Sequence, residues 1–97
     1  MNLAKGIKMK KVVWKYPVEI KGKFEIVMPH DAQILKCENQ FDRPFLWALV
    51  NPEEKVTVTK RFILLGTGHE TEEQIVNHIS TFQVQNGAYI FHLFEVL

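Results

Sequence analysis

Gly66-Thr67-Gly68-His69, with His78, Thr81 and His92 further on, gathers three of the chain's four histidines and a set of threonine hydroxyls into its last third. Glycines let backbone amides approach an anion closely, and Lys60 and Arg61 precede the turn, so the stretch holds some parts of a phosphate cradle. It lacks the Lys-Ser/Thr of a P-loop, the third glycine of a dinucleotide fingerprint and the long helix that both require. The same residues also read as a glycine-rich turn ending a strand. His30, His69, His78 and His92 with Cys37 are donor types that zinc accepts, yet His69-Glu70 is not followed by a second histidine at the HExxH distance. No metal and no cofactor are expected.

Nucleophilic catalysis would need an activated Ser, Cys or Thr. Cys37 stands between Lys36 and Glu38, Ser80 and Thr81 have His78 nearby, and no G-x-S-x-G elbow occurs, so no catalytic residue is assigned. Trp14, Tyr16 and Trp47 with Lys15, Arg43, Lys60 and Arg61 could instead form a stacking and phosphate-binding surface. Most aromatics in so short a chain must build a core. Phe62, Phe82, Phe91 and Trp47 are assigned there, while Trp14 and Tyr16, near a strand edge, are candidates for contacts.

These residues need strands to position them. Asn86-Gly87 lies between two alternating apolar runs and predicts a type I′ hairpin turn, which needs positive φ at both central residues. Counting outward, Val84 faces Tyr89, Gln83 faces Ile90, Phe82 faces Phe91, Thr81 faces His92 and Ser80 faces Leu93. Side chains alternate along a strand, so Phe82, Val84, Tyr89, Phe91 and Leu93 share a core face. Thr81, Gln83, Ile90 and His92 share the other, with Ile79 and Phe94 paired at its far end. A slip of one residue would exchange the two faces.

Alternation also predicts strands from Lys11 to Pro17, over Phe24 to Met28 and over Gln33 to Glu38, with Asn39 to Pro44 as a polar loop. Phe45 to Val50 is apolar without alternation, with the length of a strand buried on both faces or of a piece of core helix, and flanking Pro44 and Pro52 favour the strand. Val56 to Leu65, rich in β-branched residues, is another, ended by Gly66 and Gly68. Thr71-Glu72-Glu73-Gln74 has capping-box spacing and predicts a short helix of one or two turns. The fold expected is all-β: a small antiparallel sandwich or barrel of six to seven short strands with at most one short helix.

The chain has 97 residues, a formal charge of +1 and a single cysteine. That length suits one domain with a single core, taken as residues 11–97, after a basic, partly disordered tail over 1–10 in which Met9 is an alternative start. A charge near zero argues against a surface devoted to nucleic acid. Cys37 cannot form an internal disulfide and reads as a small buried thiol in a reducing compartment. No run of eighteen apolar residues is present, and Met1 to Lys11 lacks an h-region and cleavage site, so neither a membrane helix nor a signal peptide is expected.

One pattern spans nearly the whole chain: Trp14-x-Tyr16-Pro17-Val18, Phe24 to Pro29, Leu46-Trp47-Ala48-Leu49-Val50-x-Pro52, Arg61-Phe62, Gly66 to His69, Thr81-Phe82-Gln83 and Phe91 to Glu95. It resembles a small domain family of unknown function common in phage and prophage genomes. Asp31, at a position where that family has glycine, and the acidic Glu70 to Asn77 segment depart from it. The resemblance implies a viral origin, hence the host cytoplasm, and carries over no catalytic residue. Small phage proteins without catalytic motifs are often stoichiometric binders that blunt host defence, by sequestering a nucleotide signal or occluding a host protein. The expectation is a non-catalytic homo-oligomer whose ligand site draws on Arg61, Gly66, Thr67, Gly68, His69, Thr81 and His92, with Trp14 and Tyr16 as further contacts. A small enzyme acting on a nucleotide or phosphate ester, or a virion protein, is the alternative.

Overall fold

The computed structural model describes residues 10–97. Residues 1–9, nearly all of the expected basic tail, lie outside them. Seven strands follow in order: β1 Val12–Pro17, β2 Lys23–Pro29, β3 Gln33–Gln40, β4 Arg43–Val50, β5 Thr57–Gly66, β6 Ile75–Val84 and β7 Tyr89–Val96. They form two antiparallel sheets, ordered β1-β4-β3 and β2-β5-β7-β6. The inward residues alternate along each strand: Leu46 and Cys37 from one sheet, and Phe24, Phe62, Leu64, Phe82, Val84 and Leu93 from the other, close a single core. Phe24 and Phe62, opposite each other in the β2–β5 register, stack at 5.3 Å between ring centroids.

The sheets are joined along one side and do not close into a barrel. Edge strand β3 packs along edge strand β6, and the Cys37 amide donates to Ser80 Oγ at 2.8 Å in the buried seam. Both strands are bulged close to this contact, β3 between Ile34 and Lys36 and β6 between His78 and Ser80. A bulge bends a strand and breaks its ladder, so the edges meet through a side chain instead of merging into one sheet.

Three expectations need correction. The polar loop over Asn39 to Pro44 is only a two-residue turn, because Phe41 and Asp42 both take positive φ (53° and 60°) and β3 and β4 continue on either side. No glycine or asparagine signals it; instead Asp42 Oδ1 accepts the Gln85 amide of the β6–β7 turn at 3.1 Å, tying the two hairpin tips together. Trp47 is not in the core. It is half-buried on the outer face of β4 beside Phe45, since Leu46, Ala48 and Val50 take the inward positions.

The third correction is the helix after Thr71, which is absent. β5 and β6 are parallel with β7 between them, so residues 67–74 must cross from the Phe91 end of β7 to its Val96 end. Five strand residues span about 17 Å, whereas eight helical residues would reach only about 12 Å. The segment therefore runs extended over the outer face of the sheet, held by Glu73 to Lys23 Nζ at 2.8 Å and by the Leu97 amide donating to the Gln74 carbonyl. Ile63 and Val96 face away from the sandwich interior and are nonetheless buried. Thr71 Oγ1 accepts from the Glu73 amide, two residues on, as in a turn.

Candidate functional site

The hairpin register expected from Asn86-Gly87 is the one observed, from Val84 opposite Tyr89 to Ser80 opposite Leu93. Gln85 joins Asn86 and Gly87 at positive φ, and the Ala88 amide donates to the Gln85 carbonyl. Thr81 and His92 therefore stand side by side on the outer face, and Thr81 Oγ1 is 2.9 Å from His92 Nδ1. Beyond them the register shifts. Ile79 is bulged out of the ladder and turns toward the core, and His78 takes the place opposite Phe94 that Ile79 was expected to hold. In an unbroken strand, residues three apart point to opposite faces. The bulge puts His78 on the same face as Thr81, with Nε2 3.1 Å from Thr81 Oγ1 and its ring tilted against Phe94 at 5.2 Å.

From the other side the crossover brings Thr67, whose Oγ1 is 2.8 Å from His92 Nε2. The result is a chain of side-chain hydrogen bonds, Thr67, His92, Thr81, His78, across the outer face of β6 and β7. Each hydroxyl can both donate and accept, and each neutral imidazole offers one of each. The chain thus has two polarities. If His78 Nε2–H donates to Thr81, Thr81 donates to His92 Nδ1 and His92 Nε2–H donates to Thr67, leaving the Thr67 hydroxyl proton free for an outside acceptor. In the reverse polarity Thr67 donates to His92 and presents only lone pairs outward.

Thr67 also lines a shallow pocket of about 400 Å³ with Gly66, His69, Tyr89, Ile90 and Phe91, and with Gly87 and Ala88 of the hairpin turn. Tyr89 is 54% exposed, and its ring is nearly parallel to Phe91, 21° apart with centroids at 6.4 Å. The expectation placed Tyr89 in the core; at the open end of the hairpin it is instead a free aromatic step. His69 folds back over Gly66, its Nδ1 accepting the Gly66 amide at 3.3 Å while its own amide donates to the Gly66 carbonyl at 3.1 Å. Two amides of the turn are thereby engaged within it. A Cβ at Gly66 would sit 2.8 Å from His69 Cε1, so glycine is what admits the ring. Gly68 takes φ of 88°, which glycine adopts without strain.

Of the residues expected at a site, the structure brings Gly66, Thr67, Gly68, His69, Thr81 and His92 to one end of the four-stranded sheet. Arg61 is not among them. It lies four residues down β5 from Leu65, the neighbour of His92, and pairs with Glu25 at 3.1 Å. Trp14 and Tyr16 are on β1, in the other sheet. His78 and Tyr89 are the additions; the bulge that recruits His78 leaves no mark in the sequence, and alternation with Phe91 assigns Tyr89 to the core, although its place beside the Asn86-Gly87 turn is the signal that could have marked it as exposed.

The other groups weighed for chemistry are committed elsewhere. Cys37 is fully buried, and desolvation, with Glu38 nearby, pushes its thiol up to about 12. Ser80 Oγ accepts the Cys37 amide. Among the described residues no three His, Cys, Asp or Glu side chains gather as metal ligands would, and no helix is long and apolar enough to cross a membrane.

Among the described residues, an open two-sheet sandwich with a hydroxyl–imidazole chain on one outer face, and no helical layer, defines a small all-β domain. Residues 9–97 match the family model described as Domain of unknown function (DUF7352), and the chain belongs to that family. No curated protein and no solved structure matches it.

Proposed function

We propose that this is a non-catalytic binding protein of phage origin, acting in the host cytoplasm as a self-associating counter-defence protein that sequesters a nucleotide signal. The observation that carries the reading is the pocket beside Thr67, where the Tyr89 ring offers a stacking step and the Thr67 hydroxyl and His69 ring offer hydrogen bonds within reach of a base and its sugar or phosphate. Among the described residues no lysine or arginine lines this pocket, so recognition there rests on stacking and neutral hydrogen bonds more than on fixed positive charge. The burial of Cys37 and the engagement of Ser80 favour a binder over a nucleophilic enzyme. One observation favours the enzyme alternative: Thr67 Oγ1 and His92 Nε2, at 2.8 Å, have the spacing of a nucleophile and its base. Thr81 stands where a triad carries a carboxylate, and a hydroxyl stabilises an imidazolium far less well.

The test is equilibrium binding and native mass spectrometry of the purified chain with a panel of linear and cyclic nucleotides. A ligand recovered unaltered after denaturation is the expected result, with Tyr89→Ala weakening binding about tenfold or more and Thr67→Val weakening it as well. Binding to no member of the panel would sink the nucleotide reading and leave occlusion of a host protein as the form of counter-defence to pursue. A hydrolysed ligand would point to Thr67 and His92 as an enzyme's pair, and co-purification with virions to a structural role.

A further inference from the structure

Each sheet has two edges, and three of the four are managed. β3 and β6 face each other across the Cys37–Ser80 contact. β2 carries Lys23 and Glu25, held by Glu73 and Arg61, and charges on an exposed edge oppose unwanted pairing. β1 is guarded less, by Lys15 and Pro17 alone. Among the described residues no strand lies on its outer side, Lys15 is its one charge, and Val12, Val13 and Trp14 are 37%, 53% and 39% exposed.

The direction of its hydrogen bonds follows from one contact. The Val18 amide donates to the Pro44 carbonyl, which extends the β1–β4 register by one pair. In an antiparallel ladder each residue points both backbone groups to the same side and the next residue points them to the other. Trp14 and Tyr16 are therefore directed at β4, while Val13, Lys15 and the carbonyl of Pro17 are directed outward. Pro17, which has no N–H, sits at a position where β4 does not need one.

We propose that the outer edge of β1 is a homodimer seam, in which β1 pairs antiparallel with β1 of a second copy about a two-fold axis at Trp14 and joins the two three-stranded sheets into one. Outward groups meet outward groups only in registers centred so that Val13 and Lys15 face odd-numbered positions. Centred on Lys15, that lysine opposes its own copy; centred on Val13, Lys11 opposes Lys15 of the second copy, and like charges directly opposite destabilise a sheet. Centred on Trp14, Val13 meets Lys15 of the second copy and the two exchange backbone hydrogen bonds in both directions. Trp14 then lies opposite its own counterpart at a non-hydrogen-bonded position, where side chains approach most closely. The proposal gives a surface to the self-association named above and is independent of the ligand reading, because no residue of β1 lines the Thr67 pocket.

Sedimentation and light scattering of the full chain over a range of concentrations provide the test. Val13→Pro removes an outward N–H and blocks the seam while leaving every β4-directed amide in place, so a folded monomer is expected where the native chain is a dimer. Trp14→Cys is expected to lock the dimer through a disulfide on mild oxidation and Val13→Cys is not, with Cys37 silent because it is buried. A native chain that stays monomeric at its highest soluble concentration would overturn the seam. So would a dimer that survives Val13→Pro and fails to cross-link through Trp14→Cys. Retention of nucleotide binding by monomeric Val13→Pro separates a failure of one proposal from a failure of the other.

Discussion

Ser80 is the side chain on which the junction of the two sheets turns, and Ser80→Ala measures it. Its Oγ accepts the Cys37 amide at 2.8 Å, and both residues are buried, Cys37 completely. Alanine fills nearly the same space but leaves that amide without an acceptor and out of reach of water. An orphaned buried N–H costs about 1–3 kcal/mol, set against a total of about 5–15 kcal/mol for a domain of this kind. Each kcal/mol moves the melting temperature of so small a domain by about 4–8 °C, so a fall on the order of 10 °C is expected. Urea unfolding should give the matching loss in free energy, and amide exchange should accelerate at Cys37 more than at neighbouring core positions. Thr81→Ala, which removes an exposed hydroxyl from the adjacent residue, should change stability by about 0.5 kcal/mol or less. If Ser80→Ala melted within a degree or two of the native chain, the Cys37 amide would have another acceptor, and the account of two edges held apart by bulges would be wrong.

Cys37 should resist thiol reagents in the folded chain and react fully once it is denatured, with free-thiol titration as the readout. Because its folded pKa, about 12, lies above the unfolded value, its contribution to stability is complete below the unfolded thiol's pKa and is lost as pH rises toward the folded one. Unfolding titrations compared with Cys37→Ser should show that alkaline loss diminish. Phe41 is 93% exposed and sits at φ of 53°, so Phe41→Asn should raise stability by about 0.5–1 kcal/mol in thermal melts by relieving left-handed strain. Gly87→Ala should lower stability by about 1 kcal/mol in thermal melts, since φ is 86° there, a conformation that residues with a Cβ rarely adopt.

The β6–β7 hairpin is the part of the fold most fully encoded in local sequence. Asn86-Gly87 is a local signal with a local cause, positive φ, and once the turn is placed the alternation of side chains dictates the register from Val84–Tyr89 to Ser80–Leu93. The pairing of Thr81 with His92 followed from it. The Phe41-Asp42 turn was not legible, because phenylalanine is poor at positive φ, no glycine stands beside Asp42, and the turn is tied through Asp42 to a second hairpin. Trp47 was misplaced for a related reason: an apolar run such as Phe45 to Val50 does not reveal which of its two faces the other sheet will cover.

The residue pattern alone determined the all-β class, the strand boundaries to within a residue or two at most ends, and the Thr81–His92 neighbourhood, because alternation and turn chemistry act within a few residues of themselves. Tertiary structure decided the rest. The crossover that carries Thr67 to His92 follows from strand order, the inward turn of Ile79 that delivers His78 follows from a bulge at the sheet junction, and the distance of Arg61 from both follows from where β5 lies beside β7. Each of these is a contact between segments far apart in the chain, set by the competition to bury apolar faces, and no local spacing records its outcome.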